Sequence, residues 1–170
     1  MATSVRTTTA KVFIAVLLIL SCFLSWRTYS WSREMDQSAV RLYNDWMQAT
    51  IITHSILSRY PSEETDILHI HQHFYRSAGF GRGLALLPNL PNDTKEHYQS
   101  LVRASEHVFL YLFALQPSQE HIRFVSDQQT YILKRLPERI ESRAELVALT
   151  RSFEHITETL EANMKEAPRW

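Results

Sequence analysis

Three histidines alternate with other residues in one short stretch, at positions 69, 71 and 73. Histidine is a common ligand of transition metals. On a helix, His69 and His73 share one face, and Asp66 lies one turn before His69. Asp66, His69 and His73 could therefore hold zinc or copper weakly. The alternative is that His69 and His73 are solvated, while His71 points into the apolar stripe as a half-buried packing residue.

The three glycines of the chain, Gly79, Gly81 and Gly83, flank Phe80 and Arg82. Successive backbone N–H groups in such a run can form an anion-binding nest. It does not match a phosphate-binding loop, because it lacks a Gly-Lys-Ser/Thr ending and follows a helix rather than a strand. The interpretation we favour is a helix cap and a tight turn, with residues 79–91 forming an irregular loop.

Cationic side chains near this loop suggest a second kind of site. Arg82, His71 and Arg103 could line a pocket for an anionic ligand. A deep pocket built from these residues would favour a ligand sensor, whereas a flat apolar face would favour an adaptor.

Catalytic constellations are not evident. No serine lies in a nucleophile elbow, and the single cysteine, Cys22, falls in a hydrophobic segment. Acidic residues such as Glu141 and Glu145 have basic neighbours, a pattern typical of solvated helix faces. We therefore expect a protein that is not an enzyme and that uses no cofactor.

Residues 108–115 form an unbroken apolar run. Because an amphipathic helix needs apolar residues on one face only, such a run indicates either a central bundle helix or a helix with surplus surface for a partner. We predict partner contacts from this run first and from the 79–91 loop second. The predicted residues are Phe109, Tyr111, Leu112 and Phe113, followed by Phe80, Leu84 and Leu87.

The N-terminal segment, residues 12–31, has the composition of a membrane helix. Residues 12–26 are uncharged and strongly apolar, and a span reaches the roughly 20 residues needed to cross a bilayer if Arg27 snorkels. Trp26, Tyr29 and Trp31 would then form an interfacial aromatic belt. We favour an uncleaved signal anchor.

Two alternatives stay open for this segment. Residues 18–22 resemble a lipobox, which would make Cys22 a lipidation site and the protein a lipoprotein. The segment could also be a cleaved signal peptide, although no small-x-small cleavage site is visible.

Charge is distributed unevenly along the chain, although the formal net charge is zero. Residues 1–33 hold four basic and no acidic side chains, and the rest hold 14 basic and 18 acidic ones, a balance of −4. A basic stem on a mildly acidic body fits a chain that starts at an anionic membrane surface. The zero net charge of the whole chain excludes a generic nucleic-acid binder. The flanking charges weakly favour an extracytoplasmic body, periplasmic if the protein is bacterial.

Helical periodicity continues through the body, punctuated by proline and glycine. We predict helices over about 33–60, from Ser62 to Gly79, from Asp93 to about 116, and from Ser118 to about 166 with an interruption at Pro137. The fold class is therefore all-α, a membrane helix followed by an antiparallel bundle of about four helices. The predicted divisions are a tail at 1–11, the anchor at 12–31, the bundle at 32–166 and a tail at 167–170.

These features predict a non-catalytic, membrane-anchored helical module that binds another membrane or envelope protein as an adaptor, assembly factor or regulator. Self-association is an alternative for the same apolar surface. An extracytoplasmic ligand-sensing bundle that signals through a partner is the second hypothesis, and a weak transition-metal-binding protein is the third.

Overall fold

In the residues that the structure describes, helices are joined by turns and short irregular segments, and there is no strand. The structure is a computed structural model in which residues 2–59, 67–112 and 118–167 are described. This confirms the all-α class. The helices are α1 Ala2–Arg59, α2 Ile67–Ala85, α3 Asn92–Leu110, α4 Gln119–Leu133, α5 Arg143–Ala148 and α6 Thr150–Lys165.

The chain divides into an N-terminal unit, Met1–Asp36, and a bundle unit, Gln37–Trp170. The sequence had suggested this boundary five residues earlier. The exposed large apolar side chains of the N-terminal unit, from Phe13 to Trp31, have exposed fractions between 47% and 69%. By length and composition α1 is able to cross a membrane, and it is the one such helix in the described part of the chain.

Side-chain contacts give the helix directions in the bundle unit. The Phe74 and Phe109 rings lie 4.5 Å apart and Arg82 bonds Glu106, so α2 and α3 are antiparallel. By the same reasoning α4 and α6 are antiparallel, because Gln128 bonds Asn163 and Tyr131 bonds Thr159.

Helices α3 and α6 run in the same direction. The hydroxyls of Thr94 and Thr150 lie 2.8 Å apart, and the Tyr98 and Phe153 rings lie 5.2 Å apart. Both pairs join residues near the helix N-termini, one turn after the other. Helix α4 is antiparallel to both α3 and α6. The chain therefore reverses direction twice between α3 and α6, and α6 lies parallel to α3.

An aromatic cluster connects α1, α3 and α6 in the core. Tyr43, Trp46, Tyr98 and Phe153 are each at most 1% exposed. Trp46 and Tyr98 pack edge to face with ring centroids 5.4 Å apart. Aromatic pairs of this geometry contribute about 0.5–1.5 kcal/mol beyond the burial of their surface.

The predicted break at Pro137 is confirmed, since α4 ends at Leu133 and α5 and α6 follow it. Asn44 of α1 holds the intervening segment. Its amide donates to the carbonyl of Ile140 at 3.0 Å and accepts from the Ile140 N–H at 2.9 Å. The Tyr43 hydroxyl donates to the Pro137 carbonyl at 2.8 Å. Ser118, where the last helical portion is predicted to begin, is the N-cap of α4, and its side chain accepts a hydrogen bond from the His121 N–H.

The predicted irregular loop at residues 79–91 is wrong in its first half. Helix α2 continues through all three glycines to Ala85, so Gly79 is not its C-terminal cap. The physical reason is packing at Gly81, where a Cβ would lie 2.5 Å from Cγ2 of Val102. Close contact with α3 offsets the intrinsic cost of about 1 kcal/mol for a glycine inside a helix.

The third helix is shorter than expected. It ends at Leu110 and residues 111–112 form a turn, so the predicted end near residue 116 is wrong. Residues 113–117 lie outside the described part of the chain.

Candidate partner-binding cleft

A surface cleft of about 290 Å³ opens between α2 and α3. Both helices supply its lining, which is mostly polar at the rim and apolar at the floor. The lining residues are Gly81, Arg82, Gln99, Val102, Arg103 and Glu106.

Gly81 and Val102 form the floor of the cleft. Val102 is 3% exposed and Gly81 is buried. Because Gly81 has no side chain, the two helices approach closely, and the longer side chains one turn away stand as walls on either side.

An ion pair crosses the cleft. The guanidinium of Arg82 donates through Nε to Oε1 of Glu106 at 3.1 Å and through Nη2 to Oε2 at 2.8 Å. This bidentate hydrogen bond and the attraction of the carboxylate raise the pKa of Arg82. The Arg82 side chain is 69% exposed and that of Glu106 only 19%. The contact therefore contributes little to stability, in the manner of surface ion pairs, but it occupies the one carboxylate of the lining.

Arg103 is the second cation of the cleft. It is exposed, and it makes no hydrogen bond or ion pair with the residues that the structure describes. With Arg82 matched by Glu106, the lining carries one uncompensated positive charge. The cleft is therefore chemically suited to a carboxylate or a phosphate.

Exposed apolar residues flank the cleft along both helices. Tyr75, Gly79, Arg82 and Leu86 follow the spacing i, i+4, i+7 and i+11 on α2 and the turn that ends it. The spacing brings these residues onto one stripe. Tyr75 is 66% exposed and Leu86 is 82% exposed.

Helix α3 carries a second stripe with identical spacing, Gln99, Arg103, Glu106 and Leu110. Leu110 is 52% exposed. The antiparallel register brings Leu110 to the same end of the cleft as Tyr75, and Leu86 lies toward the other end. We refer to these two stripes together as the α2–α3 face.

No protein-family model matches the chain, and neither a curated protein nor a solved structure shows significant similarity to it. Function must therefore be argued from this geometry.

Three of the predicted partner residues are core residues. Phe109, Leu112 and Leu84 are 3%, 4% and 1% exposed, respectively. The described part of this apolar run packs against two neighbouring helices, since Phe109 contacts Phe74 of α2 and Tyr111 contacts Phe124 of α4. We therefore leave these three residues out of the proposed binding surface.

The remaining predicted partner residues are half-buried or undescribed. Tyr111 contacts His121 and Phe124 of α4, with ring centroids 6.1 and 5.2 Å away. Phe80 lies beneath the Arg76 guanidinium at 5.5 Å, and Leu87 packs against the core. Phe113 lies outside the described residues.

The structure brings together two of the three predicted anion-site residues, since Arg82 and Arg103 line one cleft. The side chain of His71 is outside the description, as are Asp66 and the side chains of His69 and His73. The metal hypothesis thus falls on residues that are not described. Within the described residues no group of three His, Cys, Asp or Glu could hold a metal ion. Cys22 is exposed and not in a disulfide.

Sequence reasoning missed Tyr75, Leu86, Leu110 and the pairing partner Glu106. The matched spacing of the two stripes was visible in the sequence. It had no meaning until α2 was known to be helical through the glycines, because a loop at residue 79 would have scattered Tyr75, Arg82 and Leu86.

Proposed function

We propose that this protein is a non-catalytic, membrane-anchored helical module that binds another envelope protein as an adaptor, assembly factor or regulator. The observation that carries the proposal is the contrast between its two units. The large apolar side chains of residues 13–31 are about half exposed or more, whereas the bundle unit buries a full aromatic core. An apolar surface of that length requires lipid or another apolar surface to cover it.

We also propose that the bundle unit lies outside the cytoplasm. The basic residues Arg6 and Lys11 precede the apolar segment, while Glu34 and Asp36 offset those that follow it. This charge difference favours retention of the N-terminus in the cytoplasm. The test uses Leu86→Cys in a Cys22→Ser background, labelled in intact cells with a membrane-impermeant maleimide. Labelling before lysis is the expected result, and labelling only after lysis would reverse the orientation.

Binding to a partner protein is supported by the composition of the α2–α3 face. Tyrosine and arginine are enriched in protein interfaces, and the exposed Leu86 and Leu110 flank the cleft on the same face. The test is in-membrane photo-crosslinking from exposed positions on four parts of the bundle unit, namely Ile52, Leu86, Leu110 and Glu158, followed by mass spectrometry. One discrete protein adduct from at least one position is expected. Absence of any protein adduct from all four would refute the adaptor role.

A ligand sensor is the second candidate, because Arg82 and Arg103 line the same cleft. A volume of about 290 Å³ suits a small anion. The test is thermal unfolding of the full chain in detergent with increasing inorganic phosphate or succinate, with chloride at equal ionic strength as the control. If the protein is a sensor, the midpoint temperature of unfolding should rise with ligand concentration. Arg103→Gln should abolish this rise.

A further inference from the structure

We propose that the α2–α3 face binds a segment of the partner protein that presents a carboxylate to Arg103 and apolar side chains to Leu86 and Leu110. This inference rests on the proposed function and names the docking surface and the chemistry of its occupant.

The charged residues of the cleft are only partly paired within the chain. Glu106 accepts two hydrogen bonds from Arg82, so the acidic residue of the cleft is committed within the chain. Arg103 has no comparable partner among the described residues, although it lines the same cleft. The positive charge of Arg103 attracts an anion to the cleft. A glutamate or aspartate side chain fits this position, because its two oxygens match the guanidinium fork.

Exposed apolar side chains lie at both ends of the cleft. Leu86 is the most exposed large apolar residue at 82% in the described part of the bundle unit, and Leu110 and Tyr75 are 52% and 66% exposed. These residues flank the charged centre on opposite sides, so a single segment along the cleft would cover them together with Arg103. Arginine and tyrosine, which this face presents at Arg103 and Tyr75, are among the residues enriched in interface hot spots.

Gly79 supplies an independent observation. It lies inside α2 on the exposed stripe, and a Cβ built there meets no atom within 4 Å. A glycine inside a helix lowers helix stability, and at this position no contact within the described chain explains it. The bare backbone at Gly79 would allow a partner segment to approach α2 closely.

A second copy of this chain fits the face less well. Two copies meeting through their clefts would bring their Arg103 side chains near one another, and each Glu106 is already paired with Arg82. Like charges facing each other across an interface oppose association. We therefore assign the face to a different, carboxylate-bearing polypeptide.

The experiment is photo-crosslinking of the full-length protein in its native membranes from Leu86 and from Leu110, with Ile52 on α1 and Glu158 on α6 as the control positions. Each is repeated with Arg103→Glu and with Arg151→Glu. Arg151 is the matched control because it is exposed and has Glu154 three residues later, as Arg103 has Glu106. Circular dichroism of each variant checks that the helices are retained.

The expected result is one partner protein from both positions flanking the cleft, through a peptide that contains Asp or Glu. Arg103→Glu should lower the yield on the order of tenfold or more, and Arg151→Glu should leave it unchanged. Substituting the partner's acidic residue by Lys should restore binding to Arg103→Glu.

Several outcomes would overturn the inference. These are an adduct with a second copy or with lipid alone, a yield unaffected by Arg103→Glu, or a partner captured only from Ile52 or Glu158. The last outcome leaves the adaptor role standing and moves its surface, whereas no protein adduct from any position removes the adaptor role itself.

Discussion

Gly81 lies so close to Val102 that a single added methyl group at Gly81 would be 2.5 Å from Cγ2 and 2.9 Å from Cγ1 of Val102. Val102 is buried and β-branched, so its side chain has little freedom to move aside. The helices, the cleft above them and the exposed stripes on either side all depend on this contact.

Gly81→Ala should therefore destabilise the protein. Overpacking of a core contact costs about 1–3 kcal/mol, and the gain in helix propensity returns at most about 1 kcal/mol. The measurement is denaturant unfolding of the full chain in detergent.

Gly79→Ala is the matched control, since a Cβ there meets nothing within 4 Å. It should raise stability by about 0.5–1 kcal/mol through helix propensity alone. Equal effects of the two substitutions would contradict the close approach at Gly81.

Gln129 should be replaceable by leucine with a gain in stability. Its side chain is fully buried, and neither its amide nitrogen nor its amide oxygen has a hydrogen-bond partner among the described residues. A buried polar group without a partner costs about 1–3 kcal/mol. Gln129→Leu should recover part of that amount in the same unfolding assay.

Gln128→Leu provides the comparison, because the neighbouring Gln128 is buried and accepts a hydrogen bond from Asn163 at 2.8 Å. It should lose stability by about 1 kcal/mol as that bond is broken. If Gln129→Leu is the more damaging of the two, the Gln129 amide is hydrogen-bonded in the protein and the expectation is wrong.

Stability should fall steeply in alkali because of two buried tyrosines. Burial raises the pKa of Tyr98 well above its ordinary value, and the nearby Tyr43 adds to the shift. Burial likewise raises the pKa of Tyr43. The folded state thus binds these protons more tightly than the unfolded state, so their stabilising effect is complete below about pH 10 and is lost as the pH rises above it.

The check is the pH dependence of unfolding for Tyr98→Phe, compared with the unchanged protein. The Tyr98 hydroxyl has no hydrogen-bond partner in the described structure, so its removal should cost little at neutral pH. The slope above about pH 10 should become shallower. A slope identical to that of the parent protein would assign the alkaline loss to other groups.

The mass of the mature protein should distinguish a signal anchor from a lipoprotein signal in the N-terminal segment. A signal anchor leaves the chain at 19.9 kDa with Cys22 unmodified. Lipidation would remove the residues before Cys22 and add an acyl-bearing group, and Cys22→Ser would abolish that change. A mature mass that is the same in both proteins, apart from the substitution, would exclude the lipoprotein.

Local signals were sufficient for the class of fold and for several boundaries. The apolar stretch at residues 12–31 and the break at Pro137 could both be predicted, because hydrophobic length and proline act on neighbouring residues. The spacing of Leu146, Leu149, Phe153, Ile156 and Leu160 also predicts a helical seam. Four of the five are buried, and Leu149 is half-buried at the end of α5.

The cleft could not be predicted in the same way. The glycine run resembled a loop because intrinsic propensity disfavours glycine in helices, and only the contact of Gly81 with Val102 accounts for its helical state. The sequence likewise could not distinguish buried from exposed positions in the apolar run at residues 108–115, where Phe109 is buried and its neighbour Leu110 is exposed. Arg82 meets Glu106 across 24 residues of sequence. Such pairings depend on how two helices pack, which the periodicity of each helix alone does not specify.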